Sequence, residues 1–159
     1  GCSLNEMGCM ILHMGVRTTD PVKVAYRPLA PDEDEAKAIA EMLGEIASFD
    51  YYSTQMSDHS IIFNFDEPGD ANRRRELMIP VSEEFEGIKT KVLPSIRGAF
   101  IVFRGTDTTI EEYYEMLKKY IRQSGLEPVE GVHDIEIMYV PEDLDNADYS
   151  IEIMIPLKP

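Results

Sequence analysis

Apolar positions along the chain fall into two helical stripes and a series of short alternating runs. Between Asp32 and Ser48 they sit at Ala36, Ile39, Ala40, Leu43, Ile46 and Ala47, the i, i+3, i+4, i+7 spacing of an amphipathic helix. The same stripe returns 74 positions later at Ile110, Tyr113, Tyr114, Leu117, Tyr120 and Ile121. Alternation predicts strands near 10–16, 22–28, 59–65, 75–80, 88–93, 99–104, 134–140 and 149–156. Asp32 with Glu35, and Thr108 with Glu111, read as capping boxes at the two helix starts. Ser124-Gly125 reads as the C-cap of the second helix.

The pattern is written twice. Glu41-Met42-Leu43 recurs as Glu115-Met116-Leu117, and Glu76-Leu77-Met78-Ile79-Pro80-Val81 is echoed by Glu152-Ile153-Met154-Ile155-Pro156-Leu157. Val24-Ala25-Tyr26-Arg27 is echoed by Ile101-Val102-Phe103-Arg104. Three echoes in the same order point to an internal duplication, with pseudo-repeats of about 10–86 and 87–159. Each repeat reads strand, strand, helix, strand, strand. Two of them make an α+β domain, a mainly antiparallel sheet with both helices on one face. The loops Asp66 to Arg73 and Pro141 to Asp148 fall at matching places and carry turn chemistry.

Side chains alternate along a strand, so one sheet face packs under the helices and the other is free. In 149–156, Ile151, Ile153 and Ile155 are expected on the helix side, leaving Ser150, Glu152 and Met154 on the other. In 134–140, Ile135, Ile137 and Tyr139 alternate with Glu136 and Met138. Ile61, Phe63 and Phe65 are expected under the helix, with Ile62 and Asn64 opposite. Glu76 and Met78 take the places of Glu152 and Met154. The predicted open face thus sets carboxylates beside Met, as in an apolar concavity holding one or two negative charges. A glutamate on such a face is most often simply solvated. If Glu152 is sequestered, it needs a partner or its pKa rises. An organic cation would be such a partner, and tyrosines would add cation–π attraction.

Composition narrows the function. The chain has 159 residues, enough for one domain with a substantial core, and 43% of them are apolar. Thirty acids against fifteen bases give a net charge of -15, which repels phosphate backbones and disfavours direct nucleic-acid binding. Two cysteines, Cys2 and Cys9, fit a reducing, cytoplasmic setting better than a disulfide scaffold. No run approaches a membrane span or a secretory leader. Residues 1–9, starting at Gly1, are expected to be a tail or remnant, leaving 10–159 as a single domain. His13, His59 and His133 lack ligand spacing, so no metal is expected, nor any other cofactor. Arg73-Arg74-Arg75 reads as a solvated loop end.

Val24-Ala25-Tyr26-Arg27, Leu93-Pro94 leading to Phe100–Gly105, the helix Ile110–Gly125 with Leu126-Glu127-Pro128, Ile135-Glu136-Ile137 and Glu152–Leu157 together resemble the GyrI-like effector-binding domain. That family, of the SOUL-related superfamily, occurs at the C-terminus of bacterial multidrug-sensing regulators and as free-standing proteins. The resemblance covers residues 10–159. The first half departs most, with Arg27-Pro28-Leu29-Ala30-Pro31 where the family has an Arg-Gly turn. The resemblance implies a pseudo-twofold domain with a ligand cleft between the halves, and a buried Glu from the second half as counter-charge. Glu152 matches that position, and Glu136 is its neighbour. Relatives sense drugs for an attached DNA-binding domain, inhibit DNA gyrase, or hydrolyse cyclopropane-bearing toxins with a pocket Glu.

The leading expectation is a module that binds a small lipophilic, preferentially cationic ligand, lined by Glu152, Glu136, Met138, Met154, Ile62, Asn64, Met78 and Tyr114. The alternatives are a hydrolase in which Glu152 or Glu136 is the general base with Tyr149 or Tyr114 beside it, and a protein-interaction role for the acidic surface, gyrase inhibition among its forms. The chain is expected to be either a stand-alone domain or one separated from a DNA-binding partner domain.

Overall fold

The computed structural model describes residues 11–49, 59–105, 110–139 and 149–159. Among these residues ten elements follow in chain order: β1 (Ile11–Thr18), β2 (Val22–Leu29), α1 (Glu35–Phe49), β3 (His59–Asn64), β4 (Arg75–Pro80), β5 (Thr90–Leu93), β6 (Arg97–Gly105), α2 (Ile110–Gln123), β7 (Asp134–Tyr139) and β8 (Tyr149–Pro156). Each strand lies within about two residues of its expected place, because short apolar runs between Gly, Pro and Asp turns leave little latitude. The strands form one antiparallel sheet in the order β1-β6-β8-β7-β3-β4-β2-β5.

That order is palindromic about the β3–β7 seam. Exchanging β1 with β5, β2 with β6, β3 with β7 and β4 with β8 returns it unchanged. The outer strands change sides: β1 closes the sheet beside β6, and β5 closes it beside β2. The register also fixes which residues correspond. Tyr26 lies opposite Met78 as Phe100 lies opposite Met154, so β2 and β6 are related by 74 positions. The Val24–Arg27 echo of Ile101–Arg104 is therefore displaced by three residues from the true correspondence, Gly98–Ile101.

Cross-strand pairs share a face. One row runs Leu77, Ile62, Glu136, Ile153, Ile101, and its apolar members pack with both helices, so α1 and α2 cover the same face. α2 buries Tyr113, Leu117 and Ile121, with Phe103 stacked on Tyr113 at 4.0 Å. α1 buries Ala38, Met42 and Ile46, while Ala36 and Ala40 are exposed. The repeated Glu-Met-Leu triplet is thus out of phase, since Met42 is buried whereas Met116 is exposed.

Asp34, and not Asp32, caps α1: its carboxylate accepts from the Lys37 N–H at 3.2 Å. Thr108 lies outside the described residues. α2 ends in a Schellman turn, with Leu126 N–H bonded to Ile121 O, Gly125 N–H to Arg122 O, and Gly125 at φ 68°. Arg75 is not a solvated loop end. Its side chain is buried and donates to the carbonyls of Ala30 and Glu33 and to Glu35, which anchors the start of α1. No helix among the described residues is long and apolar enough to cross a membrane.

Candidate functional site

The face opposite α1 and α2 is also apolar and largely buried. Val24, Ile61, Phe63, Met78, Phe100, Ile135, Ile137 and Met154 form one cluster there. A single row across it runs Tyr26, Met78, Ile61, Ile137, Glu152, Val102. Glu152 is the charged group in that row, 1% exposed, on a strand flanked on both sides.

Its charge is met from the edge of the sheet. Arg17 on β1 donates Nε–H to Oε2 and Nη2–H to Oε1, both at 2.8 Å, and the Tyr139 hydroxyl donates to Oε1 at 2.8 Å. The planar guanidinium fork matches the two carboxylate oxygens, the strongest form of charge-assisted pair. Arg17 also lies over Phe100, 5.5 Å from the ring centroid. Burial works against the Arg17 charge, but the hydrogen bond and attraction of Glu152 outweigh it and raise the pKa further. The pair is lopsided: the Glu152 side chain is 2% exposed, that of Arg17 37%. The carboxylate is the fixed floor, and the cation reaches it from the rim.

The pseudo-twofold repeats this group. Lys91 stands 74 positions after Arg17 and pairs across from Val24 as Arg17 pairs across from Gly98. Its ammonium bonds Glu76, the counterpart of Glu152, and lies 4.1 Å from the ring centroid of Tyr26, the counterpart of Phe100. Phe65 stands where the second half has Tyr139, so this copy has no corresponding hydroxyl.

Gly98 keeps this face closely packed. A Cβ there would lie 2.6 Å from Met154 Cγ and 3.1 Å from the Ile155 carbonyl oxygen, which cannot move aside. Gly98→Ala is expected to cost about 1–2 kcal/mol and to displace Met154, read by chemical denaturation together with the Met154 methyl NMR shift.

A second polar group lies on the helix side. Asn64 donates to Glu136 at 3.0 Å and to Asp134 at 3.3 Å. Asp134 is bonded to His133 at 2.7 Å, and His133 Nε2 to the Tyr114 hydroxyl at 3.0 Å, with the two rings stacked at 4.8 Å. Burial, aided by the charges of Glu35 and Asp134, pushes Glu136 up to about 8. Burial and Asp134 push Tyr114 up to about 12. Arg75 Nε is buried with no hydrogen-bond partner. Beyond the ends of these strands, Phe65, Asp66, Glu67, Asp70, Gly131, Val132 and His133 line an open depression of about 360 Å³. Among the described residues no group of three or more His, Cys, Asp or Glu is placed to hold a metal.

The expected ligand lining is therefore divided. Glu152, Met154 and Met78 share the open face. Ile62, Asn64, Glu136 and Met138 point to the helix side, opposite to expectation, and Ile61, Phe63 and Phe65 take the open side. Tyr114, on α2, belongs to the helix-side group, so it is not beside Glu152. His133 is part of that network and not isolated. The Tyr149 side chain, the 141–148 loop, Cys2 and Cys9 fall outside the described residues. Sequence reasoning missed Arg17, Tyr139, Phe100 and Lys91 as site groups. The 74-residue spacing of Arg17 and Lys91 was the signal that could have found two of them.

Neither a protein-family model nor a curated protein matches the sequence. Solved structures do share the architecture. The EcmrR C-terminal domain is 15% identical, covers 92% of this chain and 97% of its own, and has a TM-score of 0.71. EcmrR in its DNA complex within EcmrR-RPo is 14% identical at a TM-score of 0.69, with 96% of this chain matching 59% of that one. SAV2435 bound to tetraphenylphosphonium is 11% identical at a TM-score of 0.56, covering 92% of this chain and 94% of its own. The chain therefore has the fold of the GyrI-like effector-binding domains.

Proposed function

We propose that the chain is an effector-binding domain that captures a small lipophilic cation on the sheet face opposite α1 and α2, with Glu152 as its counter-charge. The observation that carries this reading is a carboxylate 1% exposed on the sheet face opposite α1 and α2. An anion in that position is costly unless a cation stays near it; Arg17 fills that role from the rim, and the reading has the ligand's cation take its place. Phe100, Met154, Met78 and Tyr139 supply the apolar and aromatic contacts that a lipophilic ligand needs. SAV2435, which shares the fold, is a protein seen with a lipophilic cation bound. The match to 59% of the EcmrR chain in a DNA complex favours a sensor whose binding is read by a DNA-binding domain.

The base chemistry required for hydrolysis fits Glu152 poorly, because both its oxygens already accept hydrogen bonds. Thermal unfolding tests the reading, with a panel of lipophilic cations, neutral analogues and anions on wild type and Glu152→Gln. Stabilisation confined to cations and lost in the variant is expected. Equal shifts in both proteins, or none, would remove Glu152 from the role.

A further inference from the structure

Each Glu on the open face already holds a cation against an aromatic ring, and in both cases that cation belongs to the chain. Arg17 lies on Glu152 and Phe100; Lys91 lies on Glu76 and Tyr26. The members correspond one to one through the pseudo-twofold. Each cation also comes from the opposite half, since β1 of the first half closes the second and β5 of the second closes the first.

We infer that Glu76 and Tyr26 form a second cation site, one that takes a small quaternary or primary ammonium compound by displacing Lys91, its tethered occupant. The proposal rests on the Glu152 reading for its precedent but concerns different residues. A carboxylate with a ring face 4.1 Å from a bound ammonium is the arrangement that recognises alkylammonium ligands. The Lys91 side chain is 38% exposed and that of Glu76 19%, so the cation is the movable partner and the carboxylate the seated one. Lys91 has a flexible four-carbon stem and a single anchoring carboxylate, whereas Arg17 makes a two-pronged pair reinforced by Tyr139. Exchange is therefore easier at Glu76 than at Glu152. The missing hydroxyl at Phe65 also leaves Glu76 with one donor fewer.

The test is calorimetric titration of the full chain with benzyltrimethylammonium chloride at fixed low ionic strength. Lys91→Met keeps the stem over Tyr26 and removes the competing charge; it is expected to tighten binding about tenfold or more. Glu76→Gln is expected to abolish this binding in both the wild-type and Lys91→Met backgrounds. In Glu152→Gln the same site is expected to persist, so loss of the Glu152 reading and loss of this one give different results. A milder variant, Lys91→Gln, covers the case in which Lys91→Met fails to fold, with tightening in the same direction. The Tyr26 ring NMR signals should move on titration in each binding-competent form. Affinity unchanged or weakened in both Lys91 variants, or binding that survives Glu76→Gln, would overturn the proposal.

Discussion

Arg17→Met is expected to lower stability by about 2–3 kcal/mol at pH 7. Removing one member of a buried ion pair typically costs about 3–5 kcal/mol, because the other is left charged and unpaired. The lower figure applies here because the Arg17 side chain is 37% exposed, so water can enter where it stood, and because Tyr139 still donates to Glu152. Adding Glu152→Gln removes the stranded charge, and the double variant is expected to regain most of the loss. Chemical denaturation of the four proteins in a double-mutant cycle reads the coupling directly. Additive effects would mean that Glu152 does not depend on Arg17.

The second large effect concerns Glu136. Its folded pKa is pushed up to about 8 by burial and by Glu35 and Asp134, against about 4.3 when unfolded. Between those values the folded chain keeps a proton that the unfolded chain has released. Stability therefore falls as pH rises from about 4.5 to about 8, and this contribution is level beyond. The full difference corresponds to about 5 kcal/mol, at 1.36 kcal/mol per unit. The Arg75 charge and the Asn64 hydrogen bond already pull against that rise; because Glu136 is only partly buried, solvent screening leaves about 3 kcal/mol. Glu136→Gln keeps an acceptor for Asn64, so it is expected to stabilise the fold by about 3 kcal/mol at pH 9 and to change little at pH 5. Urea unfolding at both pH values measures it. A variant no more stable than wild type at pH 9 would show that Glu136 is ionised there at no cost.

The elements were legible because each is local. Apolar runs punctuated by Gly, Pro and Asp placed the strands, and the helical period placed both helices. The split of β8 into Ile151, Ile153, Ile155 and Glu152, Met154 was also legible, since one phase carries the charge. β3 and β7 also carry their polar residues in one phase, Ser60 and Asn64 with Asp134 and Glu136, but that phase lies on the helix side, where Asn64 bonds both carboxylates. Ile61, Ile62 and Phe63 are buried alike, so burial does not tell the two phases apart. The rule that polar side chains mark the free face therefore turns Asn64, Ile62, Glu136 and Met138 the wrong way. The exchange of β1 and β5 between halves was not legible at all, because edge pairing is a long-range choice. Arg17 on β1 reaches Glu152 on β8 only through that exchange.

A crystal structure of the chain with tetraphenylphosphonium would locate the cation site outright. The ligand is expected on the face opposite α1 and α2, with a phenyl ring against Phe100 or Tyr139 and its charged centre within about 6 Å of Glu152. A ligand lodged beside Glu136 under the helices, or in the depression between Phe65 and His133, would contradict that placement.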